Sequence, residues 1–379
     1  MRSYKVLLIL AGFILISVPA ATQETITNPA RPGGKAKNVS IRVANLTEVL
    51  RISDESGDFS FKNPRRIKIA PDGSVFIAER EQLFKFDSRG RFLKTFLKKG
   101  EGPGEIKYFA NFFFTSQGVV IGSFMPVKLI FISLDGTYQK EFKLEKANPF
   151  LMLMNATDTR YYFHNNSLSF GNFGKLKTGI NKRVHRVVYS NNKGNITEIN
   201  LDFMTRDAVI KTTSKSGGVA INMDEITDFI TAFDRNNYVY VVHNDRYMIK
   251  QVDLGTGKIT LKFTRDYRPV DYQIKQDLEE EDARIEEIKN HKFFNDVYAL
   301  RIYGGKLLVF TSTMDDKQQV LVDVFNHNGK YQDCFYLKIP GISRPDDLRR
   351  KPLCFDHGHF WTSSVDEDDN PVIIKFKMN

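Results

Sequence analysis

Residues 65–96 read RRIKIA-PDG-SVFIAER-EQLFKFD-SRG-RFLKTF, four short runs broken by turns at Pro71-Asp72-Gly73 and Ser88-Arg89-Gly90. Runs of this length, rich in Ile, Val and Phe and closed by glycine-containing turns, are strands of antiparallel hairpins. SVFIAER is apolar almost throughout, the pattern of a strand covered on both faces. The stretch predicts a four-stranded meander whose two faces both need partners.

The same grammar returns five times along the chain. ANFFFTSQG, VVIGSF, KLIFISLDG and TYQKEFKL occupy residues 110–144. Comparable sets follow within 150–201, 228–266 and 296–338, and a sixth runs from Pro352 to Asn379. The sixth has only three strands, which would leave an open edge. Asn38 to Ser53, NVSIRVANLTEVLRIS, has the composition of a strand and no other place to pair, so it is assigned as the missing outer strand. Closing a ring with strands from both termini removes the seam. Gly90 and Gly136, the turn glycines of the first two units, are 46 residues apart, near the ~40–50 residues of one propeller blade. Wider spacing farther along marks insertions. The expected fold is therefore all-β: a six-bladed β-propeller of four-stranded antiparallel blades over residues 38–379, its N-terminal strand closing the last blade.

Two insertions interrupt the pattern. Tyr272 to Lys292 places Ile274, Leu278, Ile285 and Ile288 on one face at helical spacing with acids opposite, and predicts one helical insertion. Ser167 to Lys182, with Gly171, Gly174 and Gly179, reads as a mobile loop. Between the first two units, Lys99-Gly-Glu-Gly-Pro-Gly-Glu105 lacks the Lys-Ser/Thr of a phosphate loop and leads into an aromatic strand rather than a helix. It is the crossing from the rim of one blade to the axis of the next, eased by its glycines and stiffened by Pro103.

With GEGPGE leading into a strand that ends in Gly and is followed by an apolar run, the blade pattern resembles NHL-repeat proteins and related exported six-bladed β-propellers of bacteria. The resemblance spans roughly residues 40–379 as architecture, although the Gly-x-Gly-Pro-Gly-Glu element occurs once. Such folds host receptors, scaffolds, lyases and hydrolases, so the likeness bears on fold and not on activity.

Met1-Arg-Ser-Tyr-Lys5, an apolar run from Val6 to Ile16, and small residues at Ala20 and Ala21 form a signal peptide over residues 1–21. The apolar run is too short to span a bilayer. Residues 22–37 are expected to be a flexible linker. The mature chain is then exported, periplasmic or extracellular, with no membrane span after signal cleavage. The net charge of +10 is scattered among acids, without a basic block interleaved with aromatics, which argues against a nucleic-acid partner. Cys334 and Cys354 are open to two readings, one disulfide or two separate buried thiols.

On such a ring the loops from second to third strand, and from one blade to the next, share one face at the channel mouth, where ligands bind. These loops carry Glu79 and Arg80, His164 and Asn165, and His243, Asp245 and Arg246. His164 and His243 hold corresponding positions in neighbouring blades. Together these seven are the candidate ligand-binding residues, for a small molecule or a protein partner. His357-Gly-His359 falls in a turn on the opposite face, and Asp366 to Asn370 reads as a hairpin tip, so no metal site is assigned. No Gly-x-Ser-x-Gly, His-Glu-x-x-His or Walker pattern is present. The leading expectation is an exported binding propeller. The alternative is a propeller enzyme, a lyase or hydrolase with its site at the channel mouth; the sequence identifies neither catalytic residues nor a cofactor.

Overall fold

Residues 66–96 form the meander their pattern predicts: Arg66–Ile69, Val75–Glu79, Gln82–Phe86 and Phe92–Phe96 pair antiparallel in that order. In the computed structural model, which describes residues 24–378 apart from 35–39, 55–56, 145–150, 167–175, 192–194, 214–218, 235 and 272–292, five further sheets repeat this order. The inner strands of blades two to six are Tyr108–Thr115, Met152–Ala156, Phe229–Phe233, Val297–Tyr303 and Cys354–Asp356.

The core is six apolar wedges, one between each pair of neighbouring blades. Every blade is thus covered on both faces, which is why all of Val75–Glu79 and Lys128–Ile132 are buried. The wedge between blades six and one joins Ile52, Trp361 and Ile373 to Ile67, Phe84 and Phe86. It closes the ring. Leu46–Ile52 supplies the outer strand of blade six, antiparallel to Pro371–Met378 with Ile52 opposite Ile373, as expected from the missing edge.

Two strands precede this closure. Thr25–Asn28, in the segment read from sequence as a linker, runs parallel to Ile259–Arg265, the outer strand of blade four. Arg42–Ala44 runs parallel to Tyr331–Leu337, the outer strand of blade five. The N-terminal part of the chain thus covers the rims of blades four, five and six in turn. Asn28 pins it: its side-chain amide donates to the carbonyls of Thr264 (2.8 Å) and Gly329 (3.0 Å), and its oxygen accepts from the Tyr331 amide (2.9 Å).

The turn glycines have a packing reason. Gly90, Gly136 and Gly329 have φ of 81°, 86° and 70°, a region costly for residues with a Cβ. Each turn also presses on the outer strand of the preceding blade. A Cβ on Gly136 would lie 2.1 Å from the Phe96 ring, and one on Gly329 would lie 2.8 Å from Phe263.

At the 99–105 crossing, Lys98–Lys99 pairs with Glu105–Ile106 in a short parallel bridge. The loop is tied to blade two. The buried Lys128 amine donates to the Gly102 carbonyl at 3.0 Å and pairs with Glu141 at 3.3 Å, while the Gly104 amide donates to Glu141 at 3.0 Å.

Blade three departs from expectation. Its third and fourth strands, Gly179–Asn191 and Ile196–Thr213, are much longer than those of the other blades, and Val219–Thr227 adds a fifth. The end of the segment expected to be a mobile loop is therefore strand: Gly179 to Lys182 pair with Val209 to Arg206, because the fourth strand extends far enough to meet them. The expected helical insertion at 272–292 lies outside the described residues. Among those described, no helix is long and apolar enough to cross a membrane. Cys334 and Cys354 are unbonded, on the outer strand of blade five and the inner strand of blade six.

Candidate functional site

The six inner strands surround a central channel of about 880 Å³. Arg65, Arg66 and Lys68 from blade one reach it, as do Arg183 from blade three, Arg301 from blade five, and Arg349, Arg350 and Lys351 from the segment entering blade six. Asp228 is the one carboxylate among the described lining residues. Inner strands alternate like any other, so a charged residue at every second position, as in Arg66-Ile67-Lys68, puts cations at a lining that an apolar core would otherwise claim.

Arg66, Lys68 and Arg301 have no carboxylate partner among the described residues. Lys68 donates to the Phe112 carbonyl, and its ammonium lies 3.2 Å from the centre of the Phe113 ring. The Arg301 guanidinium donates to the carbonyls of Leu353 (2.7 Å) and Leu300 (2.8 Å). Burial, reinforced by Arg66 and Arg301, holds the Lys68 amine well below the usual lysine range. Burial and then Arg65 bring Arg66 down to about 10. Three basic groups are drawn together with only carbonyls and the rings of Phe109, Phe112 and Phe113 for company, and an anion entering the site would favour their protonated forms and relieve the repulsion between them. Cys354, beside them, has its thiol pushed up to about 12 chiefly by burial, so it is protonated and unreactive at neutral pH.

The wall at blade three holds a different arrangement. His164 Nε2 lies 2.5 Å from His185 Nδ1, and His185 Nε2 lies 2.5 Å from Thr205 Oγ1. Each contact takes one proton, so at each of them one atom donates and the other accepts, and the tautomer of His185 fixes both roles. Burial, then Arg183, lowers His164 to about 4. Burial, then His164, Arg183 and His243, lowers His185 to about 3. Both rings are neutral at pH 7. Arg183 itself is engaged by Asp207, its Nε donating at 2.7 Å in a buried pair.

Of the seven residues singled out from sequence, His164 lines the channel. Glu79 is buried, and both its carboxylate oxygens accept from the Lys62 amide, at 2.9 and 2.8 Å. Arg80 is exposed in the adjoining turn with φ of 48°. Asn165 faces Arg186 across the blade-three ladder. His243 ends the second strand of blade four, Asp245 pairs with Arg206 at 3.4 Å, and Arg246 is exposed. The His243, Asp245 and Arg246 side chains are therefore not brought to the lining with His164. His357, with φ of 42°, sits in the first turn of blade six with Nδ1 2.8 Å from Asp356. Among the described residues no group of three or more His, Cys, Asp or Glu is placed to hold a metal ion.

Sequence reasoning passed over Arg66, Lys68 and Arg301, having looked at loops. The available signal was positional: basic residues at the first-strand positions of RRIKIA and ALRIY, where the repeat grammar alone calls for apolar ones.

Comparison with known proteins places the fold. No curated protein matches the chain. Among solved structures, a protein of Bacteroides fragilis described as exported aligns with a TM-score of 0.53 at 11% identity, over 94% of this chain and 99% of that one. A streptogramin B lyase aligns with a TM-score of 0.45 at 10% identity, over 89% and 97%. The PQQ-bound aldose sugar dehydrogenase of Streptomyces coelicolor aligns with 0.42 at 8%, over 90% and 100%. At these identities the likeness is one of fold. Residues 54–282, more than half of the chain, match the family described as 6-bladed beta-propeller, and with the ring of six blades set out above the chain belongs to that family.

Proposed function

We propose that this propeller is an exported binding protein that takes an anionic small molecule in its central channel. The observation that carries the reading is the cluster of Arg66, Lys68 and Arg301 on the inner strands of blades one and five, without a carboxylate partner among the described residues. A concave site of several hundred Å³ with a few convergent charged groups has the dimensions of a small-molecule pocket. His164, from the sequence-derived set, sits on the opposite wall and supplies a neutral donor or acceptor. The GEGPGE crossing supports the likeness to NHL-repeat propellers, and residues 1–21 support export.

Calorimetric titration of the purified chain with inorganic phosphate in low-salt buffer is expected to show saturable binding. Lys68→Met should weaken it about tenfold or more, and about 0.5 M NaCl should weaken it as well, because close unpaired cations dominate the attraction. Binding unchanged in Lys68→Met, or no binding at all, would refute the reading. Export is tested separately by the mass of the chain recovered outside the cytoplasm, which should begin at residue 21 or 22; an intact Met1 there would count against the signal peptide.

A further inference from the structure

The unpaired charge in the channel is one-sided. Around the ring, blades five, six and one are consecutive, and they carry Arg301, Lys351, Arg66 and Lys68. Among the described residues, blades two, three and four contribute a single Lys or Arg to the lining, Arg183, and that one is engaged by Asp207. Their half of the wall combines polar side chains, among them His164, His185 and Asp228, with an apolar stretch made by Phe113, Met152, Met154, Phe229 and Phe233. Met152 is 38% exposed, a large flexible apolar side chain left open to water at a concave surface. Thioethers at such places adapt to the shape of whatever covers them.

The two halves meet at Phe113. Its ring lies beneath the Lys68 ammonium, so cation and aromatic face are already in contact at 3.2 Å. A bare phosphate or carboxylate would satisfy Arg66, Lys68 and Arg301 but would fill only a small part of about 880 Å³ and leave the thioether wall wet. An anion carrying a hydrocarbon body would meet both surfaces at once.

Building on the anion reading above, we infer that the channel takes an amphiphilic anion: a phosphate-ester or carboxylate head held by Arg66, Lys68 and Arg301, and an apolar body laid along Phe113, Met152 and Met154. Head and body are separately testable. Each methylene moved from water onto the apolar wall should tighten binding about fourfold, so a medium-length chain gains far more than its head group supplies.

The test is calorimetric titration of the intact chain with inorganic phosphate, octyl phosphate, octanoate and the uncharged octyl glucoside, each below its micelle-forming concentration. The better of the two octyl anions is expected to bind at least ~100-fold more tightly than inorganic phosphate, and octyl glucoside much more weakly than that anion. Which octyl anion wins identifies the head group. Met152→Ser, at an exposed position, should weaken the octyl anion several-fold and leave inorganic phosphate unchanged, whereas Lys68→Met should weaken both. Octyl anions no tighter than phosphate would overturn the amphiphile while leaving the anion site standing. Octyl glucoside binding as well as the octyl anions would overturn the charged head, and failure of every anion to bind would remove both readings.

Discussion

Replacing Asp323 by alanine is expected to lower the unfolding free energy by about 3–5 kcal/mol, read as a fall in the urea midpoint. Asp323 is fully buried between blades four and five. It accepts from Arg265 Nε at 2.7 Å and from the hydroxyls of Tyr247 and Tyr331, each at 2.6 Å. The Arg265 guanidinium is enclosed by the rings of Tyr247, Tyr267 and Tyr331. Without the carboxylate, a buried guanidinium is left without its counter-charge and two phenols lose their acceptor, and each loss carries its own desolvation cost. Replacing Arg265 and Asp323 together by Met and Leu should recover much of the loss, since a buried pair exchanged for packed apolar groups is often near neutral. A single-variant cost below about 1 kcal/mol, or a double variant worse than the single, would show that the pair is not what holds these blades together.

Stability is also expected to fall with acidification through the two stacked histidines. His164 and His185 have folded-state values lowered from 6.5 to about 4 and about 3, in both cases first by burial. A lowered histidine binds its proton more readily in the unfolded chain. The contribution is therefore complete above about pH 6.5 and is lost as pH falls towards 4, by up to roughly 1.4 kcal/mol per pH unit for each ring. Asp296 acts in the opposite sense. Burial is the main reason its carboxyl is pushed up to about 6, so the folded chain holds a proton there that the unfolded chain has released, which offsets about one histidine. Comparing urea midpoints of the wild type and a His164→Gln/His185→Gln double variant between pH 6.5 and 5 isolates the pair. The wild type should lose stability more steeply on acidification; parallel curves would mean that the rings are protonated in the folded state.

The two results concern different joints of one ring, and both lie away from the Arg66–Lys68–Arg301 cluster. The Asp323 pair is in this respect separable from binding, whereas His164 also lines the channel. The Asp323 network joins the outer strand of blade four to blade five, and the histidines join the second, third and fourth strands of blade three. Neither supplies the unpaired charge of the channel. A variant such as Lys68→Met can therefore be judged on binding with the fold monitored independently.

Strand and turn, blade count and ring closure were legible in the sequence because each is a local or edge property. Alternating runs, Asp-Gly turns and a six-unit repeat specify hairpins without knowledge of neighbours, and three strands in the last unit demand a fourth from elsewhere. The 99–105 crossing was legible for the same reason: glycine and proline spacing reports backbone geometry directly. The parallel pairing of Thr25–Asn28, more than two hundred residues from its partner strand, was not. Nor was the lengthening of blade three, where Gly179 to Lys182 are drawn into strand by a partner about twenty-five residues on. The site shows the division most clearly. His164 was found because its place, expected to be a loop and in the structure near the end of the second strand, repeats in the next blade, but Arg66, Lys68 and Arg301 look in sequence like solvent-facing residues of ordinary strands. They become a site only when ring closure turns the inner strands of blades one and five towards the same axis, because uncompensated charge is a property of what surrounds a residue in space, and that environment is assembled from strands more than two hundred residues apart.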